Sequence, residues 1–151
     1  MKILLGPAGS PAASSLEGVV RVAELGLQAM ELSFTHGVHM SIATAEAVGR
    51  AAEKAGVALS IHAPYYINLA SPEKARASAE RVLASAERMQ AMGGGPVVFH
   101  PGYYGTLGTE ACYEIVRDRV AELVAECERR EWDKVVLAPE TTGRLAQLGT
   151  L

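Results

Sequence analysis

The stretch Val57-Ala58-Leu59-Ser60-Ile61-His62 is a short, mostly apolar run that ends on a histidine. It follows Gly56, which closes an alanine-rich helical segment over residues 43–55. A continuous apolar run of this length reads as a strand covered on both faces, as in a parallel sheet. The same unit recurs in both directions. Upstream lie a strand at 29–34 and a first strand at 1–5. Between them is a helix at 17–25, with Val19, Val20, Val22, Ala23 and Leu25 apolar and Gly26 as its stop. Downstream, Ser71-Pro72-Glu73 opens a long helix, with Ser71 as N-cap and Pro72 in the first turn. Val82, Leu83, Ala86, Met89 and Met92 recur along it at helical spacing, and Gly93-Gly94-Gly95 ends it. Strands at 96–99 and 135–138 flank a last helix from Thr109 to about Arg130, with Ile115, Val120, Leu123 and Val124 on its inner face.

Five strands alternating with four helices mean either a doubly wound sheet or a (β/α)₈ barrel. The polar residues separate the two. A doubly wound sheet calls for a glycine-rich phosphate loop after the first strand. Gly6-Pro7-Ala8-Gly9-Ser10 has neither the GxGxxG spacing nor a lysine, and reads as a plain turn. In a barrel, chemistry gathers at the C-terminal ends of several strands. Here His62 directly follows the third strand and His100 the fourth, and Glu140 follows the fifth after Pro139. Neighbouring parallel strands lie about 4.8 Å apart, so three such side chains can meet at one point. Two imidazoles and a carboxylate suit zinc or another divalent ion, with positions left open for water. The expected fold is therefore a (β/α)₈ TIM barrel, of which residues 1–151 supply about the first five βα units as the N-terminal portion of one domain.

Composition is that of an ordinary globular chain: 151 residues, 49% hydrophobic and 21% charged. The formal charge of −3 argues mildly against a nucleic-acid partner, because phosphate contacts need Lys and Arg. A local basic groove on an acidic protein remains compatible with that charge. No apolar run approaches about 18 residues, which excludes a membrane-spanning helix, and the N-terminus does not read as a signal peptide. The expected location is the cytoplasm. Cys112 and Cys127 fall on one helix, roughly 22 Å apart by helical rise. They read as small packing residues, not as a disulfide or a zinc pair. Ser60 and Thr141 have no base arrangement beside them in sequence, so no protein nucleophile is evident.

The residues flanking the three candidate ligands carry a resemblance. His62-Ala63-Pro64-Tyr65-Tyr66-Ile67-Asn68-Leu69-Ala70 resembles the HAPYxINLA segment of the endonuclease IV family. Val97-Val98-Phe99-His100-Pro101-Gly102 is similar to that family's VVFHPG. Glu140-Thr141-Thr142-Gly143, continuing to Gln147-Leu148-Gly149, is similar to its E-x-T-x-G segment and the LG that follows. All three motifs occur in the family's order and spacing, and the resemblance runs the length of the chain.

This resemblance implies a (β/α)₈ barrel holding up to three zinc ions, or manganese, at its mouth. The implied activity is hydrolysis of the DNA backbone 5′ to abasic sites in base-excision repair. His62, His100 and Glu140 would be ligands of one ion, with Glu140, the catalytic candidate, bridging to a second. Tyr65 falls where the family places a tyrosine at the DNA surface. The loop Phe34-Thr35-His36-Gly37-Val38-His39 falls where it presents DNA-contacting residues, with His39 the candidate contact. That loop carries no arginine, which is a departure from the family. The family's remaining ligands come from strands beyond the fifth, so these 151 residues are expected to be a truncated barrel. Such a chain is expected to bind one ion at most, to be inactive alone, and to self-associate as a homodimer. The alternative is a sugar isomerase or epimerase on the related xylose-isomerase-like barrel, which also places His and Glu at strand ends around a metal.

Overall fold

The structure, a computed structural model, describes residues 3–149. Four helices and four strands alternate: α1 (Ser15–Glu24), β1 (Ala29–Ser33), α2 (Ile42–Ala55), β2 (Ala58–His62), α3 (Ala75–Ala91), β3 (Gly95–Phe99), α4 (Thr109–Arg129) and β4 (Val135–Pro139). The strands form one parallel sheet in the order β1-β2-β3-β4. That order never reverses. Right-handed crossovers that always step in one direction put every helix on the same face of the sheet. Accordingly α1 packs on α2, α2 on α3 and α3 on α4. A sheet clothed on one side only must curl with its helices outward, which is the arc of a barrel and not a doubly wound sheet.

The register separates the two faces. Leu32, Ile61, Val97 and Leu137 are aligned across the four strands and turn toward the helices. The alternate row, Ser33, His62, Val98 and Ala138, lies on the concave face. Met30, Ile61, Val97 and Phe99 are fully buried with Val19 and Val22 of α1, Val48 of α2, and Val82 and Met89 of α3. Burying each such side chain contributes roughly 1.5–3 kcal/mol, which is what holds the strand ends in place. Close approach matters at Gly49, where a Cβ would sit 2.4 Å from the carbonyl oxygen of Met92.

Three expectations need correction. The sheet has four strands, not five. Of the expected first strand, Met1 and Lys2 lie outside the described residues, and Ile3–Leu5 form no strand. The pairing begins at Leu5 and runs on into the segment read as a plain turn. Ala29 N donates to Leu5 O (3.1 Å), Glu31 N to Pro7 O (3.0 Å) and Gly9 N to Glu31 O (2.9 Å), with Ala8 bridging Glu31 in parallel. Pro7 lacks the N–H that a full ladder requires. Next, Ser71 is not the cap of α3. Residues 72–74 form a turn closed by Lys74 N and Ala75 N on Ser71 O, while Ser71 Oγ donates to Glu73. Finally, α1 begins at Ser15, two residues early, because Ser14 and Glu17 form a reciprocal capping box.

Cys112 and Cys127 are both buried on α4 and unbridged, as expected. Among the described residues no helix is long and apolar enough to cross a membrane.

Candidate metal centre

The sheet's hydrogen bonding continues past the strand ends and carries the three candidate ligands. Phe34 N donates to His62 O (2.9 Å), Ala63 N to Val98 O (2.8 Å) and Glu140 N to Phe99 O (2.9 Å). His62, His100 and Glu140 are thereby fixed at the same, C-terminal, end of three adjacent strands. One ligand atom from each lies within 4.8 Å of the other two. Nε2 of His62 is 3.4 Å from Oε2 of Glu140, and Nε2 of His100 is 3.7 Å from the same oxygen. The imidazoles are mostly covered, with side-chain exposures of 15% and 24%, while the carboxylate is 46% exposed. The centre therefore has a buried floor and an open front.

The chemistry of these atoms fits a cation. Nδ1 of His62 lies 2.9 Å from the carbonyl oxygen of Ala63, which can only accept, so Nδ1 carries the proton. In the neutral ring Nε2 then presents a lone pair toward a carboxylate oxygen. Two electron-rich atoms 3.4 Å apart leave room for a cation to be held between them. A histidine whose far nitrogen donates to a backbone carbonyl is also the usual arrangement for a metal ligand, because it fixes tautomer and ring orientation. His100 Nδ1 is buried without a hydrogen-bond partner among the described residues.

The mouth loops are tied to one another in sequence. Tyr65 N donates to Thr35 O (3.3 Å), linking the loops after β1 and β2. Leu69 N donates to Pro101 O (2.9 Å), and Asn68 Oδ1 accepts from Ala70 N (3.2 Å) and Tyr103 N (3.3 Å), linking those after β2 and β3. Gly102 lets the two loops approach closely, since an added Cβ would meet Asn68 Oδ1 at 2.8 Å and push that oxygen aside. Tyr104 N donates to Ala146 O and Leu148 N to Gly102 O, each at 3.0 Å, flanking an antiparallel bridge between Tyr103 and Gln147. Asn68, Gly102 and Gln147 thus have structural work that was not assigned to them from sequence. The signal was present in the quoted motifs, but nothing in one chain's residue order says that these loops touch.

Tyr65 stands over the centre, 53% exposed, with its ring centroid 5.5 Å from that of His62 and 6.4 Å from that of His100. His39 is not brought to the centre. It lines a separate groove with Ser33, Phe34 and Gly37. Ser60 does have a carboxylate neighbour, Glu31, at 3.5 Å on the concave face. That contact is at the outer limit of a hydrogen bond, and it has no imidazole, so it makes no nucleophile–base pair.

The sequence matches the family described as xylose isomerase-like TIM barrel over residues 19–150. The chain belongs to that family. Two relatives by sequence share about a third of their aligned residues. An uncharacterised protein of Methanocaldococcus jannaschii is 33% identical over 152 residues, covering 99% of this chain and 55% of that protein. A probable endonuclease 4 of Mycoplasma mobile is 32% identical over 91 residues, covering 60% of this chain and 31% of that protein. Among solved structures, endonuclease IV from Thermus thermophilus superposes with a TM-score of 0.72 at 24% identity, over 94% of this chain and 53% of that one. D-psicose 3-epimerase from Clostridium cellulolyticum superposes with 0.71 at 16% identity, over 89% and 49%. At these identities the superpositions establish the barrel fold alone. The chain spans 55% or less of the length of each of these proteins, so within the family it is a partial barrel.

Proposed function

We propose that this chain carries part of the active site of a metal-dependent phosphodiester hydrolase of the endonuclease IV type, which cleaves DNA 5′ to abasic sites. The observation that carries the reading is the set of two imidazole nitrogens and a carboxylate oxygen within 4.8 Å of one another at the barrel mouth. It is supported by the three motifs in register and by the similarity to the probable endonuclease 4.

In this reading His62, His100 and Glu140 hold a divalent ion, zinc by preference for a mixed nitrogen and oxygen set, with manganese second. Such an ion supplies Lewis acidity and polarises a phosphoryl oxygen. The protein's own residues orient and exclude. Ala63 O holds the His62 ring by its Nδ1–H. Glu140, the most exposed of the three, faces the space where further ligands and substrate arrive. The exposed Tyr65 ring covers both histidines and presents a face to a sugar left without its base.

The alternative, a sugar isomerase or epimerase, is favoured by two observations: the loop after β1 has no arginine, and its His39 lies in another groove. The product of the complete reading frame containing these residues is to be assayed with Zn²⁺ or Mn²⁺ on a duplex bearing one abasic site and, in parallel, on a panel of ketoses. Incision of the abasic duplex but not of an undamaged one is expected. Interconversion of sugars with abasic DNA left intact overturns the nuclease reading.

A further inference from the structure

The loop after β2, residues 63–74, carries two tyrosines outward between buried neighbours. Tyr65 and Tyr66 are 53% and 61% exposed, while Ala63, Pro64, Ile67 and Leu69 are buried. Apolar burial therefore holds both legs of the loop, and its tip depends on hydrogen bonds. Two of these come from one face of α3, from residues about one helical turn apart. Asn68 N donates to Ser78 Oγ (2.9 Å), and Arg81 Nη1 donates to Tyr66 O (3.3 Å). Ser78 is fully buried, a position where a hydroxyl is costly unless it is hydrogen-bonded. Ser85, the other buried serine of α3, bonds to Arg81 O within its own helix. Ser78 Oγ instead accepts from the loop.

This clamp bears on the candidate metal centre through Tyr65. Arg81 holds the carbonyl of the next residue, and Thr35 O holds Tyr65 by its own N–H. The ring so placed stands 5.5 Å from the His62 ring and 6.4 Å from the His100 ring, centroid to centroid. We infer that Ser78 and Arg81 are positioning residues for this centre: they hold Tyr65 as a cover over the two imidazoles and so slow the escape of an ion bound there. Neither belongs to the three-ligand group itself. Arg81 brings a charge-assisted hydrogen bond, the stronger kind, and Ser78 brings a buried one, sheltered from competing water. The inference rests on the metal reading of His62, His100 and Glu140, and it holds whether the substrate is DNA or a sugar.

The test follows loss of Zn²⁺ from the product of the complete reading frame to an excess of chelator. Arg81→Ala is expected to release the ion about 3- to 10-fold faster, the worth of one such hydrogen bond. Arg81→Lys, which keeps the charge and a donor, is expected to restore much of the wild-type rate. Ser78→Ala strands Asn68 N and is expected to act in the same direction. The deciding measurement is a double-mutant cycle with Tyr65→Ala. Tyr65→Ala alone should speed release, and adding Arg81→Ala should change it no further. Hydrogen exchange over residues 63–70, read without metal, should rise in Arg81→Ala. Wild-type release rates in both Arg81→Ala and Ser78→Ala overturn the proposal. So does an acceleration by Arg81→Ala that is equally large with and without the Tyr65 ring, since the clamp then acts through something else. Failure of the metal reading shows separately: the wild-type protein then takes up neither Zn²⁺ nor Mn²⁺ on titration, and the proposal falls with it.

Discussion

Nε2 of His62 and Oε2 of Glu140 stand 3.4 Å apart, although their strands are not neighbours and β3 runs between them. The curl of the sheet brings them together. With the His62 proton held on Nδ1, the space between these two atoms is the natural seat of a cation. Glu140→Gln is expected to lower affinity for Zn²⁺ by more than the roughly 10- to 100-fold that follows loss of an outer partner. Isothermal titration would show it. Unchanged affinity in that variant removes Glu140 from the ligand set.

Activity should depend on more than these residues. In-line displacement at a phosphodiester commonly draws on two or more metal ions, and the described residues hold a single three-ligand group. The 151-residue chain is expected to bind one divalent ion at most and to leave abasic DNA uncut. The product of the complete reading frame is expected to cut it, and to fall to background on Glu140→Ala. Efficient, metal-dependent incision by the 151 residues alone would sink this expectation.

Expressed by themselves, these residues should self-associate. β4 is the free edge of the sheet, Val136 on its concave face is 58% exposed, and Tyr113 of α4 is 54% exposed. Unpaired edges and apolar faces of this kind seek a partner, and a two-fold dimer is the commonest closed form. Sedimentation velocity at micromolar concentration should give a species heavier than the 15.9 kDa chain. A single stable monomer contradicts the prediction.

Gly49 offers a test of the packing that supports the site. An added methyl meets the Met92 backbone at 2.4 Å, and backbone cannot swing aside. Gly49→Ala is expected to destabilise by about 1–3 kcal/mol, despite the roughly 1 kcal/mol that alanine offers within a helix. Urea denaturation with unchanged m-value and lower midpoint would report it.

The two cysteines should be inert in the native state. Burial pushes both thiols above their ordinary range, and for Cys127 the nearby Arg130 opposes this only in part. A raised pKa leaves less thiolate, the reactive form, at neutral pH. Alkylation by iodoacetamide at about pH 7 is expected to be slow until denaturant is added, and rapid labelling of the folded chain would contradict the packing of α4.

How much of this was legible beforehand can be judged from particular residues. The strands at Val135 and Gly95 and the helix that stops at Gly56 follow from apolar runs and glycine punctuation, and their observed bounds differ by a residue or two. The convergence of His62, His100 and Glu140 followed from each ending a strand. The Ser71 cap failed because a proline after a serine suits a turn as well as a first helical turn. The first strand failed because Pro7 interrupts donation while leaving acceptors in place, so pairing persists without a regular strand. The bridge between Tyr103 and Gln147 was not legible at all. It depends on two loops meeting edge to edge, and contacts between loops leave no periodicity in sequence.

The uninterrupted strand order β1-β2-β3-β4 also sets a timetable. Each βα unit docks on the unit made just before it, so a chain emerging from the ribosome can build the sheet from one side without waiting for distant segments. His62 arrives with the second strand and His100 just after the third, but Glu140 only after the fourth. A nascent chain that has reached β3 owns two imidazoles and no carboxylate at this centre. Under the proposed reading an ion would meet all three side chains only once the fourth strand is laid down, so metal uptake would report the arrival of β4 rather than guide the units before it.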